Sequence, residues 1–188
     1  KEMISLPLRY AGIQWAKDDV AFVFESWRSD RKLRAYQLNP QTKSKKTIID
    51  RSTEDLYNDP GDFITALNKY GKSVVWVTPD NSVFLSGRGA SPEGDRPFLD
   101  KMNLATGKVE RLWQSAAPYY ERVVDVLDDK KISFVTSRES QSEPPNYFVR
   151  ALGGNAPVQL TRFPHPYPQL KDVKKEVLHY KRADGVDL

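Results

Sequence analysis

The sequence predicts an all-β protein, about three four-stranded antiparallel blades of an incomplete β-propeller. Three observations predict it. Short runs of β-branched and aromatic residues alternate apolar with polar at a period of two, the pattern of half-buried strands. Turns separate the runs, and 13 prolines and 10 glycines supply many of them. One hairpin grammar returns in three places, anchored at Leu38, Leu104 and Leu152. The anchors are unevenly spaced, so the period is loose and the middle unit carries an insertion.

Residues 1–10 read as a leader or the end of a preceding blade. The first blade spans 11–50. Residues 13–16 and 20–27 are its first two strands, the second dense in valine and phenylalanine. Residues 28–32 turn, 33–38 alternate as a third strand, 39–42 turn again and 46–49 return. The second blade, with its insertion, spans 51–116. Its polar opening, Asp50 through Gly61, is a connector. Strands follow at 63–67, 73–77 and 82–85, the last two split by Thr78-Pro-Asp-Asn81. A hairpin closes this unit: residues 96–104 and 108–113 pair around the tight turn Ala105-Thr106-Gly107.

The third blade spans 117–163. Strands fall at 122–127 and 132–136, then a long loop at 137–145, then 146–152 and 158–162 around Gly153-Gly154. Helical spacing is absent except in two short stretches, 55–57 and 118–121. The last region, 164–188, changes character. Phe163-Pro-His-Pro-Tyr-Pro-Gln-Leu170 is stiff and extended, because proline fixes φ and lacks a donor. Residues 174–182 alternate as one strand, and 183–188 form a hairpin turn.

Composition narrows the classes of function. The chain of 188 residues allows one ordinary domain or two small ones. Its mean hydropathy is -0.63, lean but enough for thin sheet cores. The net charge of +4 comes from interleaved signs, without the basic stripe and aromatic platforms that bind nucleic acid. No cysteine is present, so the sequence offers neither a disulfide framework nor a thiolate metal site, and either redox compartment is open. No apolar run approaches the ~20 residues of a membrane-spanning helix, and the opening residues lack a signal-peptide core.

Three places carry a family resemblance. They are Asp50-Arg-Ser-Thr-Glu-Asp-Leu-Tyr-Asn-Asp-Pro-Gly61, Gly89-Ala-Ser-Pro-Glu-Gly-Asp-Arg-Pro-Phe-Leu-Asp100, and Ser137-Arg-Glu-Ser140 and Glu143-Pro-Pro-Asn-Tyr-Phe148 taken with Gln159-Leu-Thr-Arg-Phe-Pro-His-Pro-Tyr-Pro-Gln-Leu170. With the ending Val173-Lys-Lys-Glu176 and Tyr180-Lys-Arg-Ala-Asp-Gly185 they resemble the prolyl oligopeptidase family of serine peptidases, in the branch of bacterial and chloroplast glutamyl endopeptidases. That resemblance implies a β-propeller preceding an α/β-hydrolase domain. It makes 164–188 a linker and first strand leading to a hydrolase domain outside these residues. The catalytic Ser, Asp and His would lie there too, so none is assigned here.

The residues themselves offer no catalytic, cofactor or metal set. A nucleophile elbow needs Gly-x-Ser-x-Gly; Gly89-Ala-Ser91-Pro-Glu-Gly94 has one residue too many and leads into a strand. His165 sits between prolines and His179 on an alternating run, and neither has a nucleophile nearby in sequence. Asp18-Asp19, Asp125 and Asp128-Asp129 border turns without calcium-loop spacing. The candidate functional residues are Arg138, Glu139 and Glu143 in the long third-unit loop, a charged rim facing either substrate or hydrolase.

Two functions fit. In one, the chain is a non-catalytic propeller segment that gates peptide access to the hydrolase domain of its parent. Its partners are then that domain and the parent's peptide substrates. In the other, it is a scaffold for protein–protein interaction. Either way, three units cannot close a ring. The faces around Val20 to Phe24 and Ile132 to Val135 are expected to lack neighbours, which invites self-association.

Overall fold

The computed structural model describes residues 2–154, 156–170, 173, 176 and 178–187. The strands in chain order are β1 (Arg9–Lys17), β2 (Val20–Trp27), β3 (Lys32–Leu38), β4 (Lys45–Ser52), β5 (Asp62–Phe63), β6 (Thr65–Leu67) and β7 (Ser73–Val75). They continue with β8 (Ser82–Gly87), β9 (Phe98–Asn103), β10 (Val109–Gln114), β11 (Tyr120–Asp128), β12 (Ser133–Glu139), β13 (Asn146–Ala151) and β14 (Val158–Gln159). Three four-stranded antiparallel sheets result, ordered β1-β2-β3-β4, β5-β8-β9-β10 and β11-β12-β13-β14, with β6 and β7 as a separate hairpin. Sequential four-stranded meanders of this kind are the building unit of a propeller blade.

Period-two alternation on β8 sends neighbouring residues to opposite faces. Val83 and Leu85 pack with Val20, Phe22, Phe63, Val75, Met102 and Leu104, which joins the first sheet to the second. Phe84 and Leu99 pack with Val126 and Phe134, which joins the second to the third. The middle sheet is therefore buried on both faces.

The first sheet's far face is covered as well, contrary to the sequence expectation. Ala21, Val23 and Leu38 on that face are buried. Residues 2–8 run across it. The Leu8 amide donates to Glu25 at 2.9 Å, Lys45 Nζ to the Ser5 carbonyl at 2.7 Å and Lys43 Nζ to the Glu2 carbonyl at 2.8 Å. Ile4, Leu6 and Leu8 are half-buried in alternation. The supposed leader is a strap, and β1 already begins at Arg9 within it. Val20 and Phe22 meanwhile face the second sheet. The third sheet's Ile132 and Phe134 also face the second sheet. Among the described residues its far face stays open: Val158, paired across from Val149, is 64% exposed.

The expected strand at 73–77 is interrupted. The Ile64 amide bonds the Phe84 carbonyl at 3.0 Å, and the Trp76 amide bonds the Ile64 carbonyl at 3.0 Å. Ile64 thus takes the place beside β8, and Val77 keeps a single bridge to Val83. The stretch 63–67 likewise divides between β5, on β8, and β6, on β7. Gly61 makes the junction possible. Its φ is +76°, and a Cβ there would sit 2.2 Å from the Ser86 carbonyl oxygen.

The hairpin repeat is real but its register differs from the expectation. Asn39 Oδ1 accepts the amides of Gln41 and Thr42, both at 2.9 Å. Asn103 Oδ1 accepts those of Ala105 and Thr106 at 3.0 and 2.9 Å. Four residues on, Lys43 and Gly107 both have positive φ. The counterpart of Leu38 is therefore Met102, not Leu104. Leu152, the third supposed anchor, is 43% exposed. Residues 55–57 and 118–121 hold no helix. Within the proline-rich stretch, Pro168–Leu170 is a 3-10 turn where an extended run was expected. Of the strand expected over 174–182, residues 174, 175 and 177 lie outside the described residues; the described ones, 176 and 178–182, form no strand, and within them Lys181 only bridges to Asp187 across a turn at Gly185.

Candidate functional site

Meander topology puts alternate loops at opposite ends of the sheets. Loops 28–31, 88–97 and 140–145 emerge at one end, together with the links 53–61 and 115–119. This end is dense in ion pairs. Arg88 NH2 bonds Asp95 at 2.8 Å, Arg96 pairs with Glu93, Arg51 with Asp59, and Arg31 with Glu54 at 3.2 Å. Arg138 lies here too.

The structure moves Arg138 and Glu139 out of the loop. Both belong to β12, which runs three residues further than the apolar pattern suggests. Glu139 pairs in register with Tyr120, and Arg138 with both Glu121 and Asn146. Only Glu143 remains on the loop. Arg138 is 17% exposed, and its guanidinium lies 4.2 Å from the ring centre of Tyr119 and 3.9 Å from that of Phe148. Its NH2 reaches Glu143 Oε2 at 3.5 Å. Tyr119 donates its hydroxyl to Glu143 Oε1 at 3.3 Å. Arg138 Nε is buried without an acceptor. Arg138 and Glu143 thus meet. Glu139 is half-buried and joins no ion pair among the described residues. Sequence reasoning missed Tyr119 and Phe148, because they come from a link and a strand that only the sheet brings together.

Each sheet also holds a buried carboxylate. Glu25 accepts from the Tyr36 hydroxyl at 2.7 Å and from Arg34 at 3.4 Å. Asp100 takes both arms of Arg111. Glu121 takes Arg150 Nε and NH2 at 2.7 and 2.6 Å, and the Thr136 hydroxyl at 2.5 Å. Burial alone would push the Glu25 carboxyl up. The Leu8 amide, the Tyr36 hydroxyl and the Arg34 charge outweigh it and hold the group below its ordinary value. These are sheet-internal, charge-assisted bonds that satisfy buried oxygens.

Ser91 Oγ donates to the Gly94 carbonyl at 2.7 Å and accepts the Glu93 amide, which is the bonding of a turn residue. His165 Nδ1 accepts the Tyr167 amide at 3.0 Å. His179 is exposed near Tyr180, Lys181 and Asp187. A cleft of about 500 Å³ lies between β1 and residues 59–63, with Phe24, Leu33 and Arg51 in its wall. Among the described residues no group of three or more His, Asp or Glu could hold a metal ion.

No family model matches the chain. The chain is 42% identical over 198 residues to "Probable glutamyl endopeptidase, chloroplastic" of Oryza sativa subsp. japonica. It is 38% identical over 199 residues to the protein of the same name from Arabidopsis thaliana. Each alignment covers 97% of this chain and 21% of the relative, so the chain spans about a fifth of the length of the curated relatives it matches. Among solved structures, TolB from Acinetobacter baumannii aligns with a TM-score of 0.44 and 16% identity, over 85% of this chain and 34% of that one. Across nearly its whole length, then, the chain is homologous to a segment of proteins named glutamyl endopeptidase.

Proposed function

We propose that the chain is a non-catalytic propeller portion of a serine peptidase of the prolyl oligopeptidase family. In this reading it restricts access of peptides to a hydrolase domain carried elsewhere in the parent. The single observation that carries the reading is the homology over 97% of the chain to proteins named glutamyl endopeptidase. The stacked sheets support it physically. A scaffold buried on both faces of its middle sheet is stiff enough to hold an opening of fixed width. A folded domain of 100 residues has a radius of gyration of about 13 Å, whereas neighbouring extended strands are only about 4.8 Å apart. A rigid opening can therefore pass a peptide and stop a folded protein. The end bearing Arg138, Glu139 and Glu143 is the one we assign to the hydrolase or substrate side.

The test uses the full-length parent. One glutamate-containing sequence is offered as a short free peptide and as an exposed loop of a folded domain. Gating predicts cleavage of the peptide and sparing of the loop. Equal rates for the two would remove the gate.

A further inference from the structure

We propose that Arg138, held between the rings of Tyr119 and Phe148, is a carboxylate-binding clamp that Glu143 occupies as an internal stand-in, and that its ligand is a carboxylate presented by a peptide. The inference stands on the clamp's geometry and not on the gating reading.

Three other arginines of the sheets each hold a carboxylate closely. Arg150 grips Glu121 through two nitrogens at 2.7 and 2.6 Å. Arg34 reaches Asp50 at 2.9 Å and Glu25 at 3.4 Å. Arg111 takes both oxygens of Asp100. Arg138 differs from these three: its one carboxylate contact is a long 3.5 Å to Glu143, and its Nε, like that of Arg51, is buried with no acceptor. The register neighbour Glu121 does not neutralise it, because that carboxylate is taken up by Arg150 and Thr136. A guanidinium fixed between two rings is already oriented and partly stripped of water, the state in which a fork-shaped donor binds a carboxylate best.

Glu143 is held as a replaceable occupant would be. Its side chain is 49% exposed. Its backbone is tied into a small turn, with the Glu143 carbonyl accepting the Ser140 amide at 3.0 Å and the Glu143 amide bonding Ser140 Oγ at 3.1 Å. The carboxylate can therefore rotate away from Arg138 without breaking the loop's own bonds. An incoming carboxylate would take its place and could also offer an acceptor to Nε.

Two sources share this chemistry, an acidic side chain and a peptide C-terminus. N-acetylglutamate α-amide carries only the first, N-acetylalanine only the second, and N-acetylglutamine amide neither. Each is titrated into the 188-residue chain and followed by NMR. If Glu143 closes the clamp about nine-tenths of the time, Glu143→Gln should tighten binding about tenfold. Arg138→Met in the Glu143→Gln background should abolish it, and Arg138→Lys should weaken it by losing the fork. Should Arg138→Met fail to fold, Tyr119→Leu removes one wall and is expected to weaken binding in its place. Binding by one acid alone identifies the source. Overturning results are binding by neither acid, no tightening in Glu143→Gln, or unchanged binding without Arg138; each would leave Glu143–Arg138 as a plain loop ion pair.

Discussion

Phe84 and Leu85 are consecutive on β8 and belong to different cores. Leu85 packs between the first and second sheets with Phe22 and Phe63, and Phe84 packs between the second and third with Leu99 and Phe134. Trp76 meets Phe84 edge-on at 5.9 Å, and Phe22 meets Phe63 at 4.5 Å. One strand therefore ties both junctions. Phe84→Ala should cost about 3–5 kcal/mol and Leu85→Ala about 2–5. The two should differ in where they loosen the protein. Hydrogen exchange should accelerate in β11 and β12 for the first, and in β1 and β2 for the second. Acceleration confined to β8 in both would contradict the two-core description.

Arg150→Met should destabilise the third sheet by about 3–5 kcal/mol, because it strands the Glu121 carboxylate in a dry site. Replacing both residues, as Glu121→Leu with Arg150→Met, should recover much of that loss. Denaturant unfolding of the single and double variants measures it, and a double variant no more stable than Arg150→Met would argue against a stranded charge.

Acid should weaken the fold. The Lys101 ammonium and the Thr78 hydroxyl hold the Asp80 carboxyl down to about 2. Glu25 also lies below its ordinary value. A depressed carboxyl binds its proton more readily in the unfolded chain. The stability it adds is therefore complete above the unfolded value, at about pH 4.5, and drains away as pH falls towards about 2. Urea midpoints between pH 6 and pH 2 should fall across that window, with Asp80→Asn flattening the lowest part. A midpoint that holds steady down to pH 2.5 would contradict this.

Much of the sheet architecture was legible in the sequence, because β2, β3, β8 and β9 alternate cleanly or run apolar. The parts that were not legible share one cause: their partners are distant. Ile4, Leu6 and Leu8 alternate, but nothing local says that their partner is the face of Ala21 and Val23. Ser137-Arg138-Glu139 read as loop because the residues are polar. The ladder continues through them because β11 and β13 supply backbone partners whatever the side chains are. The repeat was visible, yet its register came from the Asn39 and Asn103 side chains and not from the leucines beside them. Of the candidate site, the charges were legible and the aromatic walls were not.

The uncovered far face of the third sheet should make the chain associate. Val135, Val149 and Val158 share that face by register, and Tyr147 lies on it as well. Light scattering should show a mass that rises with concentration, and Val158→Lys should keep the chain monomeric. A monomer at every concentration would mean that this face needs no cover.

The proposed function makes this chain a sheet scaffold, homologous to a segment of proteins named glutamyl endopeptidase, with no activated serine of its own. A fluorophosphonate probe, which labels activated serines, tests it most directly when applied to the folded 188-residue chain alongside a fluorogenic peptide assay. The account predicts no labelled serine and no turnover, with Ser91 held as a turn residue by Gly94. Labelling of Ser91, with turnover lost in Ser91→Ala, would contradict it.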